Sequence, residues 1–301
     1  MQNAGIAALN LNWRYLACEV NPNDLRAAIA GAKAMKYVGL NLTVPHKLLA
    51  LEMVDVIDDR ARMWGAVNTI VFETRDKTGA WVPLTNVPAD EIGEIRSHGY
   101  NTDADAIVQD IKESFAWPDL RGATVLLLGA GGAARATALR LAQENVGTLF
   151  LSNRTEEKSA QIAIEIKKGG SNSHIQITFQ NPQREDDLRR LLTGTGINLH
   201  HGYPHDPVDL VINATSLGLK PNDALPIDLG WLRTRKPKRV YDMIYRPAET
   251  DFLREAKAVG AQTVNGLGML LYQGAKALEL WSGQPAPIKI MRAALEKNIY
   301  V

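Results

Sequence analysis

The apolar run Val125-Leu126-Leu127-Leu128 leads straight into Gly129-Ala130-Gly131-Gly132-Ala133-Ala134. A continuous apolar run that ends in glycine is the pattern of a strand covered on both faces. The G-x-G-x-x-A spacing then calls for a tight turn into a helix. Gly129 permits the turn, Gly131 lets a phosphate approach the backbone, and Ala134 allows close helix–sheet packing. The helix N-terminus offers free N–H groups and positive partial charge to a pyrophosphate. Alone the glycines are a weak signal; the strand–turn–helix setting makes them specific.

From about Asp103 the sequence is regular. Helical periodicity at Ala104–Phe115, Ala133–Glu144 and Glu156–Lys168 alternates with strand-like runs at Ala123–Leu128, Thr148–Leu151, His174–Phe179, Val208–Ile212, Arg239–Met243 and Gln262–Val264. This alternation predicts a parallel sheet with right-handed crossovers. The strand after the glycine helix ends in Ser152-Asn153-Arg154-Thr155. An NAD site would place an acid there for the ribose 2′-hydroxyl, and that acid would repel a 2′-phosphate. Arg154 would instead hold the phosphate through its fork and stack on the adenine, which predicts NADP as the cofactor. Asn213-Ala214-Thr215-Ser216 closes a later strand at the same carboxyl edge. Its small polar groups either line the nicotinamide side or form a capped turn.

The first third is mixed. Gly5–Leu11 is helical, Trp13–Val20 alternates like a strand, and Pro22-Asn23-Asp24 starts a helix with Leu25, Ala28 and Ile29 on one face. Val38–Val44 and Gly65–Phe72 read as strands, and Pro45 opens a helix through about Met63. Thr74–Gly99 is polar and rich in glycine and proline, so it reads as a long loop with one hairpin. Two helices, Leu267–Trp281 and Ile288–Lys297, end the chain of 301 residues, a length that suits two domains. Lys+Arg 34 against Asp+Glu 33 leaves a net charge of +1, with no electrostatic footprint for nucleic acid or an anionic membrane. The single cysteine, Cys18, excludes an internal disulfide and fits a reducing, cytoplasmic setting. No run approaches the roughly 20 apolar residues of a membrane helix, and Met1–Leu16 lacks a signal-peptide pattern.

The chemistry must lie outside the glycine-turn unit. Asn41-Leu42-Thr43-Val44-Pro45-His46-Lys47 puts Lys47 in the first turn of a helix, where the dipole disfavours a cation. That suits a proton-transfer lysine, although an ordinary solvated lysine is the commoner outcome of such spacing. Asp103 is a second candidate or a helix cap, and Gln273 lies on an apolar helix where its amide needs a partner. His200, His201 and His205 sit in a loop-like stretch that does not argue for a metal. Trp64, Trp231 and Trp281 read as packing residues.

Taken together and in order, several motifs resemble those of the shikimate dehydrogenase family. They are Asn41 to Lys47, Gly65-Ala66-Val67-Asn68-Thr69, Asn101-Thr102-Asp103, the glycine turn, Ser152 to Thr155 and Asn213 to Ser216, then Asp242-Met243-Ile244-Tyr245 and Gly266-Leu267-Gly268-Met269 with Gln273-Gly274-Ala275. The match runs from Met1 to about Gly283. It implies an α/β fold with an NADP-binding Rossmann domain at 103–266. That domain is inserted into an α/β substrate domain with a mixed sheet, 1–102 and 267–301, with a cleft between the two. It implies reversible reduction of 3-dehydroshikimate to shikimate with NADPH, on the route to chorismate and the aromatic amino acids, by a monomer or homodimer without a metal. Lys47 and Asp103 would move the hydroxyl proton, and Thr43, Asn68, Tyr245 and Gln273 would bind substrate. Gly129, Ala130, Gly131, Gly132, Ala133, Asn153, Arg154, Thr155, Met243, Gly266 and Met269 would contact NADP. The rival readings are a quinate/shikimate dehydrogenase and a catalytically impaired NADP-binding protein.

Two departures from the family pattern bear on these expectations. The family's opening strand and Ser-x-Ser-Pro segment, whose serines bind the substrate carboxylate, have no counterpart after Met1. A misassigned start codon is therefore expected, testable by the intact mass of the native protein. Thr74–Gly99 is also longer than the family's hairpin between the residues matching Asn68 and Asp103, and reads as either a lid or a surface excursion.

Overall fold

Two sheets hold the strands of the computed structural model, which describes residues 1–179 and 185–299. One lies in a unit formed by Met1–Asp103 and Leu271–Ile299, the other in a unit formed by Ala104–Leu270. The chain crosses between the units within the helices Asp103–Ser114 and Leu267–Ser282. Among the described residues no helix is long and apolar enough to cross a membrane.

The first unit holds strands β1 (Gly39–Asn41), β2 (Val56–Ile57), β3 (Thr69–Arg75), β4 (Trp81–Pro83) and β5 (Ile95–Tyr100). The order is β1-β3-β5-β2, with β4 also on β3. β3 runs antiparallel to β1, β4 and β5, while β2 is parallel to β5, so the sheet is mixed. β3 is buried from Thr69 to Thr74 because both its faces are covered. Ile70 and Phe72 pack with Leu25, Ile29 and Ala32 of the Leu25–Ala34 helix, and Val71 packs with Ala277 and Trp281. The Trp281 indole donates to the Ile70 carbonyl at 3.0 Å, which satisfies its one polar atom inside the core.

Two expectations fail here and a third holds only in part. Trp13–Val20 forms no strand: the Tyr15 backbone is held instead by the Asn3 side chain, at 2.8 and 3.0 Å, and the Val20 carbonyl by His46. Pro45–Met63 is not one helix. It breaks into a turn of helix at His46–Leu49, a 3-10 turn, β2, and a new helix Asp59–Trp64. The Asp58 carboxylate starts that helix by accepting from Arg60 and Ala61. Thr74–Gly99 does hold the expected hairpin, β3 to β4, but its last residues are not loop: Ile95–Gly99 belong to β5, which pairs with the other side of β3. Its polar residues misled the reading because they pair with one another across strands. Glu73 accepts from Arg96 at 2.7 Å and pairs with His98 at 3.0 Å, while Arg75 and Arg96 stack on Trp81.

The second unit holds β6 (Thr124–Leu128), β7 (Thr148–Ser152), β8 (His174–Phe179), β9 (Asn198–His201), β10 (Leu210–Asn213), β11 (Arg239–Asp242) and β12 (Gln262–Asn265). All pairs are parallel, in the order β12-β11-β10-β6-β7-β8-β9. The chain order reverses at β6, between β10 and β7, and open α/β sheets bind ligands at the carboxyl edge of such a point. β9 and the short helices Glu185–Leu191, Leu229–Arg235 and Asp251–Ala258 go beyond the sequence reading. His200 and His201 lie on β9, edge-on to Phe150 and Phe179.

Candidate active site

In the first unit, β1 delivers Leu42 and Thr43, and the Leu42 amide donates to the Asn68 carbonyl at 2.7 Å. The Thr43 carbonyl accepts from His46, which closes the turn that starts the Lys47 helix. The carbonyl of Lys47 accepts from Val67 at 2.9 Å, so the lysine turn is stitched to the stretch before Asn68. That helix has four residues and little dipole, so the dipole argument for Lys47 loses most of its force. A charge partner takes its place: Lys47 Nζ lies 2.8 Å from Asp103 Oδ2. The side chains are 27% and 10% exposed, so the pair is shielded yet reachable. Asp103 aims its carboxylate at the lysine, while its own amide donates to Asn101 Oδ1 at 3.0 Å.

Buried polar groups support this pair. The Asn68 Nδ2 donates to Thr102 Oγ1 at 3.0 Å, and its Oδ1 accepts from the Thr102 amide at 2.9 Å. The Thr102 hydroxyl donates in turn to the main-chain carbonyl of Gln273 at 3.0 Å. On the other side, Asn41 Nδ2 donates to Thr69 Oγ1 at 3.0 Å, and Thr69 Oγ1 donates to Asn68 Oδ1 at 3.1 Å. Each member orients the next, so the chain of bonds sets Asn68, Asp103 and the Gln273 backbone together. Gln2 adds a bond to the Gly274 carbonyl at 2.9 Å. The unit thus gathers Lys47, Asp103, Asn68 and Gln273 around one network, with Thr43 exposed beside it. Thr102 and Asn41 went unassigned in the sequence, although both stand inside the quoted motifs. The signal was a short polar residue at or just past a strand end, Asn41 closing β1 and Thr102 following β5, which must find a partner when buried.

In the second unit, Gly129 adopts φ +110°, where a Cβ would lie 2.9 Å from the Ala214 carbonyl oxygen. Only glycine suits that conformation and approach. A Cβ on Gly131 or Gly132 would meet nothing within 4 Å, so the space over the turn is open. The helix Gly132–Gln143 begins there with no side-chain cap hydrogen bond, and the first amides of such a helix suit an anion. Gly129 N donates to the Ser152 carbonyl at 2.7 Å, which puts Asn153, Arg154 and Thr155 just beyond the neighbouring strand end, Arg154 and Thr155 exposed. An open glycine turn with a nearby exposed guanidinium fits a dinucleotide carrying a 2′-phosphate.

Asn213 does not present itself to a ligand. It is fully buried, its Nδ2 donates to the Leu217 carbonyl and to Asp242, and its Oδ1 accepts twice from Thr215. It shapes the turn that follows β10. Met243 and the exposed Tyr245 follow β11 in this second unit, and Gly266 lies where a Cβ would come 2.1 Å from the Met243 carbonyl oxygen. Met269 sits in the first turn of the next helix and is partly buried. Among the described residues no group of three His, Cys, Asp or Glu side chains is placed to hold a metal.

Three family models match the chain. The shikimate dehydrogenase substrate binding domain covers residues 1–70, the shikimate/quinate 5-dehydrogenase model covers 110–180, and the shikimate 5′-dehydrogenase C-terminal domain covers 266–296. The shikimate dehydrogenase (NADP(+)) of Desulforamulus reducens is 37% identical over 99% of this chain and 90% of its own length. A crystal structure of a shikimate dehydrogenase in complex with NADP+ matches with a TM-score of 0.76 and 34% identity, over 99% of this chain and 89% of that one. The ligand-free 5-ketofructose reductase of a Gluconobacter strain matches with a TM-score of 0.73 and 32% identity, over 98% and 91% of the two chains.

Proposed function

The chain belongs to the shikimate dehydrogenase family, and on that footing we propose that Lys47 and Asp103 move the hydroxyl proton of its reaction. The reaction is the reversible, NADPH-dependent reduction of 3-dehydroshikimate to shikimate. NADP(H), when bound, supplies or accepts the hydride. The observation that carries the reading is the 2.8 Å contact of Lys47 Nζ with Asp103 Oδ2. An ammonium beside the substrate carbonyl delivers a proton as the oxygen gains charge, and takes it back in the oxidative direction. The carboxylate keeps the lysine oriented and offsets its charge. Asn68, Gln273, Thr43 and Tyr245 bind the ring hydroxyls, and the open glycine turn with Asn153, Arg154 and Thr155 holds the adenine ribose and phosphates. Met243, Gly266 and Met269 serve the nicotinamide end. In this reading residues 1–102 and 267–301 form the substrate domain, and 103–266 the NADP domain. The enzyme acts in the cytoplasm as a monomer or homodimer on a small molecule, a setting its single free cysteine, Cys18, suits.

The test follows absorbance in the NADPH band with shikimate and quinate, each with NADP+ and NAD+, and with 5-keto-fructose, a ketone, with NADPH and NADH. Turnover of shikimate with NADP, well above the other combinations, is the expected result. Preference for quinate or the keto-sugar would reassign the substrate, and NADPH binding without turnover of any of them would end the enzymatic reading.

A further inference from the structure

Asp242 closes β11 and is fully buried, yet the sequence reading gives it no role. Its Oδ1 accepts from Asn213 Nδ2 at 3.0 Å and from the Ile244 amide at 3.0 Å. Its Oδ2 accepts from the Thr250 hydroxyl at 2.7 Å. All three donors are neutral. Ile244 is the second residue after β11 and Thr250 closes the segment, so one carboxylate grips both ends of the loop that carries Tyr245 and fixes Met243 between itself and Ile244. Asn213 links the same carboxylate to the turn that follows β10, on the adjoining strand. Thr250 is itself 2% exposed and caps the Asp251–Ala258 helix. Burial pushes the Asp242 carboxyl above its usual range, against the pull of its hydrogen bonds from Thr250, Ile244 and Asn213. Burying a carboxylate among neutral donors is a poor way to gain stability alone, whereas a fully satisfied polar network specifies one geometry.

We propose that Asp242 is a positioning residue, a clasp that holds the Met243–Tyr245 loop in the shape that receives the nicotinamide end of NADP and the substrate. The proposal rests on the reading of Met243 and Tyr245 given above. Asp242 touches neither ligand and acts through the loop. Asp242→Asn keeps the shape but turns an acceptor into a donor facing the Thr250 hydroxyl. Thr250→Val removes that hydroxyl, and Thr250→Ser restores it.

The experiment titrates NADPH by fluorescence and measures KM for shikimate, below the melting temperature of every variant. Loss of a buried charged hydrogen bond predicts about tenfold weaker NADPH binding and a similar rise in shikimate KM for Asp242→Asn and Thr250→Val. Thr250→Ser stays within about twofold of the parent on the same grounds. Asp209→Asn serves as the control. Asp209 bonds Thr124 and Lys238 at the opposite edge of the sheet, so its loss lowers Tm and leaves both constants unchanged. Parental NADPH affinity in Asp242→Asn and Thr250→Val would overturn the clasp, as would equal effects from Asp209→Asn. If one variant fails to fold, the Val against Ser comparison at Thr250, or Asp242→Asn alone, still decides. If the parent turns over no shikimate, the function reading fails while the NADPH titration still reads the clasp.

Discussion

The Thr102 hydroxyl donates to the main-chain carbonyl of Gln273 at 3.0 Å, across 171 residues of sequence. It joins the Asn101-Thr102-Asp103 turn to the helix that carries the expected substrate amide. Thr102 is 3% exposed and also receives Asn68 Nδ2. Thr102→Val keeps the volume and strands both partners, at a cost of about 1–3 kcal/mol. Shikimate KM should rise while KM for NADP stays put, because the affected groups all belong to the first unit. A fall in Tm with no change in shikimate KM would make Thr102 a packing residue only.

Lys47 and Asp103 make a second, sharper prediction. Positioned proton transfer contributes about 10²–10⁴-fold to rate. Lys47→Ala should therefore cut kcat by that order with little change in KM, and Asp103→Asn should follow it. The double variant should be no worse than Lys47→Ala, since one function is lost once. Steady-state kinetics with saturating NADPH provide the check, and near-normal kcat in Lys47→Ala would remove the pair from the chemistry.

Much of this was legible in the sequence because the signals were local. Val125–Leu128 with its glycine turn needs no partner to be recognised, and the parallel sheet follows from the alternation after it. What the sequence concealed was non-local. Glu73, Arg96 and His98 look like solvated loop residues until β3 and β5 pair and bury the carboxylate. Trp13–Val20 alternates like a strand, yet its hydrogen bonds come from Asn3 and His46. Asn213 to Ser216 allows either a ligand contact or a capped turn, and at Asn213 the turn prevails, its amide being consumed by the turn and by Asp242. The local signal at Lys47, a helix dipole, is scarcely supplied by a single turn; its partner Asp103 lies 56 residues away and is reached only through the family resemblance, which pairs the two.

Arg154 is exposed and follows the strand next to the glycine turn. A guanidinium is suited to the 2′-phosphate that distinguishes NADP from NAD. Arg154→Ala should raise KM for NADP by about tenfold or more, the scale of one charge-assisted pair, and leave KM for NAD nearly unchanged. Equal effects on both cofactors would place Arg154 outside the recognition of the phosphate.

Acid should unfold the first unit through Glu73. Burial, the largest single influence, would raise this carboxyl, but the hydrogen bonds and charges of His98 and Arg96 together outweigh it and hold the group below its ordinary value of 4.5. A carboxyl lowered by folding binds protons more weakly in the folded state. Its contribution is full above the unfolded value and is lost as pH falls through the folded one. Thermal melts should thus drop steeply below about pH 4.5, where unfolded glutamates take up protons. Glu73→Gln should melt lower at pH 7 and show a shallower acid slope. The same slope in both proteins would mean that other carboxylates set it.

Gly129 and Gly131 separate the two demands made by the glycine turn. A Cβ on Gly129 would be forced into φ +110° and against the Ala214 carbonyl, so Gly129→Ala should lower Tm by several degrees, about 4 °C or more for a loss near 2 kcal/mol. A Cβ on Gly131 would meet no protein atom within 4 Å, and its φ of −79° suits any residue. Gly131→Ala should therefore fold and melt like the parent. Its methyl would instead stand in the open space over the helix amides, the place proposed for the pyrophosphate. NADPH affinity should fall by about tenfold or more, the equivalent of losing one good phosphate contact. Calorimetry with a fluorescence titration checks both halves. Parental NADPH binding by a well-folded Gly131→Ala would mean that the phosphates lie elsewhere, and the assignment of this turn would fall with it.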